Sequence, residues 1–298
     1  MSTSGDLRHA ERCAPPPWTL AARTEPRGKG CTMADTVLYE VTDGLATITL
    51  NRPDAMNALN TEAKVALRDA VRQAAADPAV RAVLLTATGR AFCVGQDLKE
   101  HIGLLSEDSE RGESRTMSTV REHYNPIVIA LAEMPKPVVA GVNGVAAGAG
   151  AGFALAADYR VVADTASFNT SFAGVALTAD SGVSWTLPRL IGHGRAADLL
   201  LFPRNVGAQE AYELGIANKI VPAAELAAEA EAVARRLAEG PTAAYAAIKE
   251  SLAYAGGHGL AETLEKEDEL QTRAGASEDH GIAVAAFVKK EKPKYLGR

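Results

Sequence analysis

The strongest constraint on folding lies in two unbroken apolar runs, Ala82–Ala87 and Val138–Val142, each leading into a glycine turn (Gly89, Gly144). Runs this short, with no polar residue at every second place, suit strands buried on both faces, as in a parallel sheet. Tyr159–Ala163 reads as another strand, and Ala166–Phe168 as a shorter one. Leu45–Leu50 alternates and is rich in β-branched residues, so it predicts a half-buried strand that pairs with Val37–Val41 through the Asp43-Gly44 turn. Thr61 stands as the cap of a helix of about sixteen residues that stops at Asp77-Pro78. A second, shorter helix follows residues 148–152 and ends near Asp158, and the charged stretch His101–Ser118 reads as a mobile lid or an exposed helix-loop. Strand, strand, helix recurs along the chain, which predicts a mixed α/β core.

From about Glu225 the strand pattern stops. Helices are predicted over 225–239, 242–254, 260–272 and 278–290, punctuated by Gly240-Pro241, Gly256-Gly257 and Gly275. An alanine-rich amphipathic tail of this kind buries its apolar face against its own core or a neighbouring subunit. Three segments are therefore expected: a disordered extension over 1–33, with Met33 as an alternative start, a core over 34–224, and a helical region over 225–298.

Composition serves here to exclude. Apolar residues make up 47% of the chain, enough for a sizeable core, while a net charge of −6 with scattered basic residues argues against nucleic acid as a partner. No apolar run reaches membrane-spanning length, and the N-terminus lacks a signal peptide's apolar stretch. Cys13, Cys31 and Cys93 are too few for a disulfide framework and fit a reducing cytoplasm.

Chemistry concentrates after the two buried runs. In 143–152 small residues stand at the mouth of a helix, where a ligand can approach the backbone and first-turn N–H groups can hold an oxyanion. A nucleotide-phosphate loop competes, but neither the Gly-x-Gly-x-x-Gly spacing nor a Gly-Lys-Ser/Thr ending is present. Close helix–strand packing accounts for the same small residues, so this segment alone leaves the alternatives open.

Taken together, Arg90–Glu100 and Pro137–Gly150 resemble the crotonase (enoyl-CoA hydratase/isomerase) superfamily, and the resemblance runs from about Val37 to Lys292, including Leu50-Asn51-Arg52-Pro53 and Ala286–Lys290. It implies an α/β spiral of ββα units with a C-terminal helical trimerisation region, a homotrimer or hexamer, and an acyl-CoA substrate whose coenzyme A is the only cofactor-like group; no metal is implied. The thioester oxygen would accept hydrogen bonds from the backbone N–H groups of Gln96 and Ala149. Each such donor is worth about 3 kcal/mol once charge develops on the enolate. The resemblance also assigns Arg52 and Ala55, with Gly95, Asp97 and Gly148, to the coenzyme A side of the site. It places Phe287 and Lys290 against the coenzyme A of a neighbouring subunit. For Arg52 and Lys290 a solvated surface charge is the competing reading.

The reaction is where the pattern breaks. Hydratases of the family use two glutamates, and the matching positions here are Gly152 and Phe172. Asp180 stands where members related to the 1,2-epoxyphenylacetyl-CoA isomerase carry an aspartate, and the chain shares with them Cys-x-Gly-Gln-Asp-Leu, Asn-Gly-Val-Ala-Ala-Gly-Ala-Gly and Tyr124-Asn125-Pro126. An isomerase with Asp180 as single base is therefore expected, its pKa raised by Phe153 and Phe172. Helix capping ahead of 183–190 is the alternative for Asp180. A hydratase or thioester hydrolase with an unrecognised base, or an acyl-CoA-binding protein without catalysis, are the competing functions. Elsewhere, His193 reads as a loop residue, Asp158 as a helix–strand junction, Asp97 as a fixing residue for the oxyanion loop, Trp185 as core and Cys93 as buried. His101 and His123 flank the lid.

Overall fold

The computed structural model describes residues 35–112 and 116–298; the expectations for residues 1–33, with Cys13 and Cys31, lie outside the described residues. The chain opens with β1 (Val37–Thr42), β2 (Leu45–Leu50), α1 (Thr61–Ala76), β3 (Ala82–Ala87), β4 (Ala91–Cys93), α2 (Leu98–Arg111) and α3 (Asn125–Glu133). It continues with β5 (Val138–Val142), β6 (Val145–Ala147), α4 (Ala149–Ala156), β7 (Tyr159–Ala163), β8 (Ser167–Asn169), α5 (Val183–Ile191) and α6 (His193–Leu201). After β9 (Val206–Gly207), α7 (Ala208–Leu214) and β10 (Lys219–Val221) come α8 (Leu226–Ala238), α9 (Thr242–Ala255), α10 (Leu260–Gly275) and α11 (Glu278–Lys289).

Among the described residues the strands form two sheets, one in the order β1-β2-β3-β5-β7-β10 and one in the order β4-β6-β8-β9. β3, β5 and β7 each run into a strand of the smaller sheet, β4, β6 and β8, before the chain turns into helix. Three successive strand–strand–helix units therefore stack in the same sense, and β3/β5/β7 pair in parallel, as do β4/β6/β8. The continuous apolar runs become the central strands because both of their faces are covered: every residue of β5 is buried. The alternating β2 lies nearer the edge, paired antiparallel with β1 through Asp43 and Gly44, both at positive φ, as a tight hairpin requires.

Helix α1 is not capped by Thr61. The side chain of Asn60 accepts from Ala63 N–H at 3.0 Å, and Thr61 is the first helical residue. The charged stretch after the first glycine turn contains α2, which starts at Leu98, three residues before the expected lid. Helix α8 buries Leu226, Ala230, Ala234 and Ala238, a single stripe at four-residue spacing. Those small side chains let α8 approach closely, so that a Cβ on Gly141 of β5 would lie 3.1 Å from the Cβ of Ala230. Helices α9 to α11 keep Ile248, Leu252, Leu260, Leu264, Val284, Phe287 and Val288 exposed. No helix among the described residues is long and apolar enough to cross a membrane.

Candidate active site

The site is built where β4 and β6 end. After β4 the chain bends at Gly95 (φ +84°), and the next residues pair with the entry to α1: Leu59 N–H donates to Gly95 O at 2.8 Å and Asp97 N–H donates to Leu59 O at 3.1 Å. This parallel bridge uses the groups on either side of Gln96, so the N–H of Gln96 faces the opposite edge. After β6, Gly148 (φ 53°, ψ −124°) turns the chain into α4 while its own N–H donates to Asn169 O at 3.0 Å. Ala149 is the first residue of α4, and its N–H is one of the first-turn donors without an intrahelical acceptor, at the positive end of the helix dipole.

The two turns touch. A Cβ on Gly95 would lie 3.1 Å from Ala147 O and 3.6 Å from Ala149 N, and one on Gly150 would lie 2.2 Å from Cys93 O. Only glycine allows so close a backbone approach, which brings the donor edge beside Gln96 next to Ala149.

Asn57 holds the segment beside this pair. It is buried at φ +55°; its Oδ1 accepts from Arg52 N–H at 2.8 Å, and its Nδ2 donates to Thr88 O at 2.9 Å and Ala91 O at 2.8 Å. The turn Pro53–Ala55, including Ala55, is thus fixed to the start of β4. The Arg52 guanidinium donates twice to Asp97 Oδ2, at 3.1 Å each, and once to Ala58 O. It clamps the Gly95–Asp97 turn and is not a free surface charge. Asp97 also caps α2, accepting from Lys99 N–H at 3.1 Å and Glu100 N–H at 3.4 Å. Partial burial works against the charge of Asp97, but the hydrogen bonds from Arg52 and the helix N-terminus outweigh it and hold the carboxyl below its ordinary range.

Asp180 does not cap α5. The residue before that helix is Gly182, without a side-chain cap, while Asp180 Oδ1 accepts from Ser181 Oγ at 2.8 Å. Among the described residues no cationic side chain forms an ion pair with Asp180. Burial raises its pKa, and the Ser181 hydroxyl partly offsets that rise. Ser181 packs on α4 so tightly that a Cβ on Gly152 would lie 2.5 Å from Ser181 Cβ and 2.6 Å from Ser181 O. Phe172 is buried. At Gly152 and Phe172, which the resemblance matches to the hydratase glutamates, stand a helix–turn contact and an aromatic ring.

Tyr124 was legible only as part of a motif. A π-helical turn over Val120–Tyr124 precedes α3 and turns the buried phenol inward, where its hydroxyl donates to Gln96 Oε1 at 2.5 Å. Its ring meets Phe153 edge-to-face at 6.0 Å. Burial, then the charge of nearby Asp180, raises the pKa of Tyr124, so the phenol stays protonated and remains a donor. Tyr124 thereby links the Gln96 side chain to the Asp180 side of the site.

Other sequence-derived residues lie apart from this cluster. Phe287 is 84% exposed, and Lys290 follows α11 as its cap at φ +56°. His193 is the first residue of α6 and not a loop residue. Trp185 is 47% exposed with the Arg189 guanidinium 4.1 Å from its ring centre, so it is not core: α5 places it outside the buried stripe Val183, Thr186 and Leu187. Asp158 sits between α4 and β7, where its carboxylate pairs with Lys249 at 2.8 Å. Cys93 is fully buried, which pushes its thiol up to about 12 and makes it inert at neutral pH.

A family model described as enoyl-CoA hydratase/isomerase matches residues 40–298. The chain is 40% identical over 264 residues to a protein of Rhodobacter capsulatus named "Probable enoyl-CoA hydratase", covering 88% of this chain and 98% of that protein. It is 38% identical over 266 residues to the 1,2-epoxyphenylacetyl-CoA isomerase of Escherichia coli, covering 89% and 100%. Its fold matches the crystal structure of an enoyl-CoA hydratase from Bacillus anthracis with a TM-score of 0.81 at 30% identity, covering 88% and 100%.

Proposed function

Because the chain belongs to the enoyl-CoA hydratase/isomerase family of acyl-CoA enzymes, we propose that it is an isomerase that shifts a double bond, or rearranges a ring, through a thioester enolate. The observation that carries this reading is the carboxylate of Asp180, which is partly buried and forms no ion pair among the described residues, while Gly152 is closed against Ser181. Hydration requires a base to activate water and an acid to deliver a proton at a second carbon. Isomerisation needs one group that takes a proton and gives it back.

In the proposed reaction Asp180 removes a proton from C2 of a 3-enoyl-CoA. The electron pair delocalises onto the thioester oxygen, which the N–H groups of Gln96 and Ala149 hold. The same carboxyl returns the proton at C4, leaving a 2-enoyl-CoA and the carboxylate it started from. No water, redox partner or separate cofactor enters the balance. Each backbone donor contributes about 3 kcal/mol to the enolate-like transition state, and the proton shuttle about 10²–10⁴ in rate.

Assembly belongs to the same proposal. The exposed apolar side chains of α9 to α11 suit a trimer in which Phe287 and Lys290 reach a neighbour's coenzyme A.

The test is conversion of a 3-enoyl-CoA in heavy water that is also labelled with heavy oxygen. Conversion to the 2-enoyl-CoA with no heavy oxygen is expected, with deuterium at C2 or C4 to the extent that the carboxyl proton exchanges with solvent before its return. Heavy oxygen in the product would establish hydration or thioester hydrolysis instead, and binding with neither conversion nor exchange would identify a non-catalytic acyl-CoA binder.

A pH profile adds a second check. Asp180 must be ionised to act as base and its pKa is raised, so the acid limb of kcat/KM lies above the ordinary aspartate range. Ser181→Ala removes the hydrogen bond that favours the carboxylate, and the acid limb is expected to move to still higher pH. A limb that stays in place would show that another group titrates.

A further inference from the structure

Tyr124 touches both of the elements that supply the backbone donors. Its hydroxyl bonds the Gln96 side chain at 2.5 Å, and its ring meets Phe153 edge-to-face at 6.0 Å. Phe153 stands four residues after Ala149 in α4, on the same helix face. Helical side chains lean towards the N-terminus, so this contact braces the turn of α4 that begins at Ala149.

The turn at Gln96 depends on such a brace. Gly95 O accepts from Leu59 N–H at 2.8 Å and Asp97 N–H donates to Leu59 O at 3.1 Å, so both flanking bonds run to one residue on one side. Two bonds to one residue leave the turn able to swing about the line that joins them. Only contacts away from that line remove the motion. Arg52 makes one through the Asp97 carboxylate, downstream of Gln96. Among the described residues Tyr124 is the one hydrogen-bond partner of the Gln96 side chain, and it connects that side chain to α4.

The phenol is itself held in place. It is 2% exposed, and Lys64 Nζ, paired with Glu100, stands 5.7 Å from its ring centre. Ahead of α3 the backbone makes a π-helical turn in which Asn125 N–H donates to Val120 O, five residues back. The extra residue in that turn rotates Tyr124 relative to its place in a regular α-helix.

We propose that Tyr124 is a positioning residue that sets the spacing between the Gln96 and Ala149 N–H groups, by holding the Gln96 side chain while its ring rests on α4. It acts through Gln96 and not on the reacting atoms. The proposal rests on the reading that these two N–H groups hold the thioester oxygen. Donors aimed at one oxygen must be preorganised to stabilise its developing charge, and a hydrogen bond weakens steeply once it is misdirected.

The experiment reads the oxyanion contact in a bound, non-reacting thioester. Hexanoyl-CoA with heavy carbon at the thioester carbonyl is bound to the full chain, and infrared difference spectroscopy records the carbonyl stretch. In wild type the stretch is expected below its frequency in free solution, because two donors draw charge onto the oxygen. Tyr124→Phe keeps the ring against Phe153 and removes only the hydroxyl. It is expected to lose most of that shift and to lower kcat for 3-enoyl-CoA about tenfold, with the dissociation constant of hexanoyl-CoA within about threefold of wild type. Gln96→Ala keeps the backbone N–H and removes the same contact from its other end, so it reports even if Tyr124→Phe is unstable. Its spectrum is expected to match that of Tyr124→Phe, and the double variant to depart no further from wild type than either alone. A full shift in Tyr124→Phe, or losses that add in the double variant, would overturn the proposal and leave the oxyanion reading in place. A wild-type carbonyl that does not shift would remove both. A shift that depends on Tyr124 without any conversion of 3-enoyl-CoA would sustain the proposal while removing the isomerase reading.

Discussion

Asp180→Asn is expected to lower kcat for 3-enoyl-CoA isomerisation by about 10²–10⁴-fold, the usual contribution of a positioned acid–base group. The substitution keeps shape and one hydrogen bond, because the amide oxygen still accepts from Ser181 Oγ, which now bonds Asp180 Oδ1 at 2.8 Å. It breaks no ion pair among the described residues. It also replaces a group whose charge burial disfavours, so stability should hold or rise slightly. What it removes is the ability to take a proton from C2. The Gln96 and Ala149 donors remain, so acyl-CoA affinity should change little and the loss should fall on kcat. Stopped-flow measurement of the conjugated product, beside titration with a non-reacting acyl-CoA, separates the two. Equal rates in both proteins would take Asp180 out of the mechanism.

Gly152→Glu, which restores the first hydratase carboxylate, is expected to yield a damaged protein and no hydratase. The obstacle is at Cβ, before the carboxylate is reached: the nearest atoms would be Ser181 Cβ at 2.5 Å and the Ser181 carbonyl oxygen at 2.6 Å. One of these is backbone and cannot rotate away. Ser181 itself is buried at φ +50°, so the turn has little freedom to retreat. Overpacking of this kind costs about 1–3 kcal/mol and sometimes more, and a buried carboxylate adds to it. At about 2–4 °C per kcal/mol the melting temperature should fall by roughly 5–10 °C. Displacement of Ser181 also moves Asp180, so isomerisation should fall with stability. Gly152→Ala carries the same Cβ without the charge and separates the two contributions. A Gly152→Glu protein as stable as wild type that incorporates labelled oxygen would refute this account.

Much of the fold was legible because its cause is local. β2, β3, β5 and β7 occupy the segments that the apolar pattern marks, since period and β-branching act within a few residues. Helices α8 to α11 start and stop near the Gly and Pro positions for a similar reason. Caps were less legible: Asn60 and Thr61 are both good cap residues, and only the path of the chain after Leu59 decides which one bonds Ala63 N–H. Trp185 misled because a large aromatic ring in an apolar helix suggests core, yet α5 turns it outward beneath Arg189.

The sequence by itself marked the buried strands β2, β3, β5 and β7, the helical tail and the two turns that carry Gln96 and Ala149, because apolar period, glycine and helix-start chemistry act on the backbone without distant partners. Only the tertiary structure decided what stands around those turns. That Ser181 fills the space beside Gly152 and that Tyr124 bonds Gln96 are contacts between residues far apart in the chain. Such contacts depend on how the stacked units pack, and residue type or local spacing does not encode that packing.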